Sequence, residues 1–229
     1  MIPIRDINPR RGSAPLTYGF IAINILVFFY QLKLSPAALD AFVASYAVIP
    51  AALRSDDPPY LTVLSSMFMH GGFGHIIGNM WFLHIFGDNV EVALGKVRFI
   101  LFYLGCGVAA AWAQVAIDPT STVPMVGASG AIAGVLAGYV RLFPHAKVLT
   151  AVPIIFLLTF MNIRAFYFIF IWFGLQFFMG MTSLGSIGTQ TGGIAFFAHI
   201  GGFVAGLILI TVLRRRPNDT AGFHRPATF

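Results

Sequence analysis

The stretch "VGASGAIAGVLAGY", residues 126–139, decides the fold. It carries no charge and is apolar on every side of a helix, which places such a helix inside a large core or a membrane. Its glycines at 130, 134 and 138 recur every four residues and so line one face. Stripes of small residues at this spacing let two membrane helices bring their backbones close. The helix also opens on Ser129, whose hydroxyl has only small neighbours to cover it.

The rest of the chain has the same character. Hydrophobic residues make up 58% of 229 positions and charged residues 10%, against about 25% charged in soluble domains. The chain is therefore read as an integral membrane protein. Apolar runs near the roughly 20 residues that cross a bilayer lie at 16–32, 73–94, 98–117, 126–143, 165–181 and 194–213. The expected fold is an all-α polytopic membrane helical bundle of six transmembrane helices. Its expected organisation is a cytoplasmic N-terminal segment (1–15), a membrane domain (16–214) and a cytoplasmic tail (215–229). The first run follows Arg5, Arg10 and Arg11 like a signal peptide, but "SPAALDA" at 35–41 is a poor cleavage site, so it is read as an uncleaved anchor.

Basic residues collect on the cytoplasmic side of membrane proteins. With six spans and the N-terminus inside, that side holds Arg5, Arg10, Arg11, Lys96, Arg98, Arg141, Lys147, Arg164, Arg214, Arg215, Arg216 and Arg225, leaving only Lys33 and Arg54 outside. A seventh span over 148–163 would move Arg164 and the Arg214–Arg216 triplet outward. Residues 148–163 are therefore expected to form an interfacial segment, and the apolar connection from Lys33 to about Gly72 to lie on the membrane surface or dip into it. The tail after Arg216 is polar and expected to be mobile. The net charge of +6 is scattered between apolar runs, so it reads as a topology signal and not as a nucleic-acid surface. Cys106 is the single cysteine, which excludes an internal disulfide. Short tails around six spans point to a prokaryotic plasma membrane, with both termini cytoplasmic.

In this plan the second, fourth and sixth runs all enter from outside. His75 and Asn79 sit near the outer start of the second, Ser129 at that of the fourth, and His199 in the outer half of the sixth. Polar residues inside a bilayer are costly and usually face the bundle interior or a water-filled cavity. His75 and Asn79 are four apart and point the same way, whereas His84, nine from His75, points roughly 180° away. His70 precedes the run and is assigned to loop support. In the sixth run Ala198, Gly202 and Gly206 repeat the four-residue stripe, so close crossing could bring His199 onto Ser129. A serine hydroxyl becomes a nucleophile when an imidazole takes its proton. His75, Asn79 and the Ser129 amide could supply donors for a developing oxyanion. No acid lies in the outer half of a span, so the residues favour a Ser–His dyad over a triad, with Asp118 a distant third candidate. The packing reading of each residue alone is the commoner one; their shared depth and direction carries the catalytic one. A haem or zinc site is disfavoured, since His84 faces away from His75 and neither H-E-x-x-H nor a cysteine pair occurs. A transporter with a His75–His199 proton relay is disfavoured because no acidic residue lines a path inward.

Three motifs resemble those of the rhomboid family of intramembrane serine proteases: "HGGFGHIIGN" at 70–79, "GASG" at 127–130 and "AHIGGFVAG" at 198–206. The resemblance covers residues 16–214 and implies a bacterial six-span type. By it Ser129 is the nucleophile and His199 the general base, with His75, Asn79 and the Ser129 amide as the oxyanion hole. It implies no cofactor and no metal, the lipid bilayer as surroundings, and as substrate a single-pass transmembrane protein, cut in or near its span after a small residue. Glu91, in "GDNVE" at 87–91, is assigned to structure. The chain departs from the family at position 133, an alanine where some members carry a tyrosine against the catalytic histidine. That leaves the ring's support to Phe196 or Phe197. No Trp-Arg pair occurs in the first outer loop. The fifth run and the cap before the sixth are expected to form a moving gate. The alternative function is a non-catalytic rhomboid-like protein that binds transmembrane helices.

Overall fold

The structure is a computed structural model that describes residues 1–8, 12–154, 157–183 and 196–214. Six long helices correspond to the six apolar runs: α1 (Pro15–Lys33), α4 (Phe73–Leu94), α5 (Lys96–Ile117), α6 (Ser129–Leu142), α7 (Ala165–Ser183) and α8 (Phe196–Leu213). Between α1 and α4 lie α2 (Pro36–Tyr46) and the one-turn α3 (Thr62–Ser65). Among the described residues, α1, α5 and α8 are each long and apolar enough to cross a membrane.

The central helix is α6. Every residue from Gly130 to Val140 is buried, so it is sheathed by protein on all sides. Its glycines explain how. A Cβ on Gly202 of α8 would collide with the Gly130 carbonyl, and one on Gly206 would lie 2.5 Å from the Gly134 carbonyl oxygen. On the other side, Gly134 lies against Cys106 and Gly130 against Ala110, both of α5. The two stripes therefore mesh as their spacing predicts, and backbone-to-backbone contact replaces side-chain packing.

Glu91, 1% exposed, closes the other end of α4. Its carboxylate accepts from the Leu16 amide (3.0 Å), the Thr17 amide (2.7 Å) and the Thr17 hydroxyl (2.8 Å). The first N–H groups of a helix have no partner within it, so α4 caps α1 from outside, and the structural assignment of Glu91 has its physical cause.

Two connections carry structure that hydropathy alone does not specify. The N-terminal segment forms strand β1 (Ile2–Asp6), which pairs antiparallel with β2 (Lys147–Ile154), and β2 pairs antiparallel with β3 (Leu157–Arg164) in a sheet of order β1-β2-β3. The described residues of 148–163, expected as an interfacial segment, thus pair as two antiparallel strands, with Lys147 opposite Arg164. Hydropathy registers apolarity, and β-branched residues such as Val148, Thr150 and Val152 turn it into strand. The segment is held to the bundle by the Trp81 indole N–H, which donates to the Pro3 carbonyl (2.6 Å). The Asp6 carboxylate accepts from Asn89 Nδ2 (2.7 Å) and the Tyr139 hydroxyl (2.9 Å). Burial raises the Asp6 carboxyl to about 6, with the Tyr139 hydrogen bond acting the other way.

The 33–72 connection is folded. Val48 bridges to Met125, and the Gly127 amide donates to the Ser66 carbonyl (2.9 Å), fixing the chain two residues before Ser129. Arg10, Arg11, the cap before α8 (184–195) and the tail 215–229 lie outside the described residues.

Candidate active site

The four polar residues singled out in the sequence come together. His75 and Asn79 lie in the first two turns of α4, Ser129 is the first residue of α6, and His199 lies in the first turn of α8. The N-terminal ends of three helices therefore converge, as the shared direction of the three runs requires.

Ser129 Oγ and His199 Nε2 are 2.8 Å apart, a hydrogen bond of good length for a hydroxyl and an imidazole. Gly202 lies one turn beyond His199, and its contact with Gly130 sets the backbone separation that allows this bond. His199 is buried (8% exposed) and Ser129 half-buried.

Gly127 brings the α4 residues to the same point. Its φ of +126° is one that side-chain-bearing residues rarely adopt, and a Cβ there would lie 2.6 Å from His75 Nε2 and 3.7 Å from Asn79 Nδ2. His75 Nδ1 accepts from the Gly71 amide at 3.4 Å. A neutral imidazole that accepts at Nδ1 carries its proton on Nε2, so the nitrogen nearest Gly127 is a donor. Asn79, 7% exposed, has its Nδ2 buried without a hydrogen-bond partner among the described residues. A buried donor left unpaired costs about 1–3 kcal/mol. The Ser129 amide, at the start of α6, is one of the N–H groups a helix leaves unpaired. His75 and Asn79 thus lie beside Gly127, two residues before Ser129.

His70 lies beside this group. Its backbone is clasped by Gln31, whose Nε2 donates to the His70 carbonyl (3.2 Å) and whose Oε1 accepts from the His70 amide (3.1 Å). Its ring faces that of His75 edge-on, with centroids 5.0 Å apart. Loop support is the role its surroundings express.

Beyond Ser129, toward α5, lies a cavity of about 40 Å3 lined by Ser129, Gly130, Ala110, Ala198, Met67 and Met125. A water needs roughly 10–15 Å3 by this measure, so the space beside Ser129 has room for a few waters.

Sequence reasoning missed Gly127 as a positioning element, although its place in "GASG" was a signal, and missed Ser66, whose backbone carbonyl carried none. The Trp172 ring of α7 lies near that of His199, with centroids 6.0 Å apart, a neighbour that sequence reasoning did not single out.

The geometry agrees with what the chain is similar to. Residues 58–216 match the rhomboid domain family model. Rhomboid protein 1, mitochondrial, of Saccharomyces cerevisiae is 30% identical over 139 residues, covering 58% of this chain and 38% of that protein. The rhomboid protease GluP of Bacillus subtilis is 31% identical over 128 residues, 56% of this chain and 24% of the protease. The presenilin-associated rhomboid-like protein, mitochondrial, of Homo sapiens is 30% identical over 143 residues, 61% and 36%. The chain spans between about a quarter and two fifths of the length of these relatives, which are bacterial and mitochondrial alike. With its membrane domain matched over most of its length, and with three helix N-termini meeting at Ser129 and His199, the chain belongs to the rhomboid family.

Proposed function

We propose that this chain is an intramembrane serine endopeptidase that hydrolyses peptide bonds in or near the spans of single-pass membrane proteins. The observation that carries the reading is the 2.8 Å hydrogen bond between His199 Nε2 and Ser129 Oγ, formed beside an unpaired buried Asn79 donor.

In this reading Ser129 Oγ attacks the scissile carbonyl carbon while its proton passes to His199 Nε2. The carbonyl oxygen becomes an oxyanion held by Asn79 Nδ2, His75 Nε2 and the Ser129 amide. The tetrahedral intermediate collapses, the C–N bond breaks, and His199 protonates the leaving amine. Water, deprotonated by His199, then releases the acyl group and regenerates Ser129. No step calls for a metal or cofactor.

The length of α6 supports a site reached by water inside a bilayer. Its 14 residues span about 21 Å at 1.5 Å each, against a hydrocarbon core of about 30 Å. A helix whose inner end reaches the cytoplasmic boundary in the six-span arrangement would leave Ser129 several ångströms beneath the outer one. The small cavity beside Ser129 suits the side chain preceding the cut, which favours alanine-sized residues there. Helix α7 is the route for the substrate. Phe166, Tyr167, Phe170, Ile171, Leu175 and Phe178 are exposed, and nothing lies within 4 Å of a Cβ built on Gly174.

A serine-reactive fluorophosphonate tests the dyad directly. Peptide mapping is expected to find the adduct on Ser129 in the parent and none after His199→Ala. An unlabelled parent that still binds transmembrane peptides would instead support the non-catalytic binding protein.

A further inference from the structure

We propose that the outer face of the β1-β2-β3 sheet binds anionic phospholipid, with Arg5, Lys147 and Arg164 holding the headgroup phosphate and Ile2, Leu158 and Phe160 lying against the acyl chains. The surface belongs to the end of the bundle away from Ser129, so the inference stands apart from the protease reading.

The register fixes which residues share that face. Residues directly opposite one another, and residues two apart along a strand, point to the same side of a sheet. Lys147 is opposite Arg164, and Leu149, two residues on, is opposite both Asn162 of β3 and Arg5 of β1. The three cations therefore lie on one face, and all three are exposed. Further along β2, Ala151 has Ile2 on one side and Phe160 on the other, and Leu158 is two residues from Phe160. These three large apolar side chains are exposed as well. The opposite face is turned to the bundle. Val148 and Thr150 are buried there, and the Asp6 carboxylate accepts from Asn89 and Tyr139. The acid of β1 is thus committed to the inner face, away from the cations.

A face of this kind suits neither water nor a dry core. The solvated side of an antiparallel sheet is ordinarily polar, yet no charged residue occurs over 148–163. At the other end, Lys147 and Arg164 are direct cross-strand partners, a placement that brings Cβ atoms to about 4.5–5.5 Å and sets like charges against each other. Arg5 is a diagonal neighbour of Lys147, at about 7–8 Å. A phosphate between them replaces this repulsion with charge-assisted hydrogen bonds.

Position selects the source of that phosphate. Arg164 directly precedes Ala165, the first residue of α7, and Lys147 follows Leu142, the last of α6, by five residues. The cations therefore stand where two bundle helices end, at the level of the headgroups. From there β1 lies along α4, with Asp6 at Asn89 and Pro3 at Trp81. Those eight residues of helix are about 12 Å long, which carries Ile2 and its neighbours to the depth at which amphipathic surfaces meet acyl chains. A soluble anion would satisfy the cations and leave the apolar half of the face uncovered; a lipid covers both.

The test is lipid binding by the purified full chain in a non-ionic detergent, read by native mass spectrometry as the affinities for dioleoylphosphatidylglycerol and dioleoylphosphatidylcholine. The parent is compared with Lys147→Gln, Arg164→Gln, Lys147→Glu and Lys96→Gln. Lys96 opens α5 at the same end of the bundle and measures general attraction between a basic chain and an anionic lipid. The parent is expected to hold phosphatidylglycerol at least about 10-fold more tightly than phosphatidylcholine. Each sheet cation removed should lower that preference about 3- to 5-fold, and Lys96→Gln should leave it within about 2-fold. Lys147→Glu places an acid opposite Arg164, an attractive cross-strand pair. It should therefore melt no lower than the parent in lipid-free detergent while losing the preference, and the two glutamine variants carry the test if it fails to fold. Equal affinity for the two lipids, an equal loss in Lys96→Gln, or a preference that survives the sheet substitutions would overturn the proposal. Displacement of phosphatidylglycerol by millimolar glycerol phosphate would show a site for soluble anions and overturn the assignment to lipid.

Discussion

Gly127 does at the residue scale what no neighbouring residue could. Its φ of +126° and the 2.6 Å from a notional Cβ to His75 Nε2 make alanine unfavourable twice over, through backbone strain and through displacement of the imidazole. Gly127→Ala is expected to cut the rate of peptide hydrolysis by at least about tenfold, with a change in melting temperature too small to account for it. In the proposed mechanism Asn79→Ala removes one oxyanion donor and should lower kcat by about 10- to 1000-fold with little effect on KM, measured on the same peptide. The proximity of Ser129, His199, His75 and Asn79 was legible because a polar side chain is costly inside an apolar run, and four at one depth of three runs turn toward one another. Trp172 was not, since one more aromatic in "AFYFIFIWFGLQFF" (165–178) carries no mark of the helix it will face.

Among the elements, the glycine stripes of α6 and α8 decide whether Ser129 and His199 come within hydrogen-bond reach. The notional Cβ of Gly202 meets the Gly130 carbonyl, a backbone atom that cannot turn aside as a flexible side chain would. Gly202→Ala is therefore expected to destabilise the protein by about 1–3 kcal/mol and to slow labelling of Ser129 by fluorophosphonate, because the helices must part where His199 reaches across. Equal labelling rates in parent and variant would show that the crossing does not set the bond. At the other end of α4, Glu91→Ala strips three donors of α1 of their acceptor and should cost about 2–5 kcal/mol in detergent unfolding. The stripes were readable because a four-residue period on an uncharged helix maps directly onto one face. The β2–β3 pairing was not, because its apolar run reads as a span or an interfacial segment until β1 pairs with it, and that pairing joins residues far apart in the chain.

At the scale of the whole molecule, among the described residues, a small sheet is joined to the helical bundle, and Asp6 is one link between them. Its carboxyl has a folded-state value of about 6 against 3.8 ordinarily, chiefly through burial. A raised acid stabilises the fold fully below about pH 3.8, and that contribution is lost as pH rises through 6. The parent should therefore melt at a higher temperature at pH 5 than at pH 7.5, and the difference should shrink in Asp6→Asn, which does not titrate. The order of the helices was legible from hydropathy, which acts along the chain. The sheet and the folded 33–72 connection depend on contacts that exist only once the bundle has formed. The most direct measurement is cleavage of a single-span membrane protein by the purified chain in lipid vesicles, beside Ser129→Ala and His199→Ala. The account predicts a product cut in or near the span after a small residue, and none from either variant. Cleavage that survives both substitutions, or a folded parent that binds the substrate and never cuts it, would contradict it.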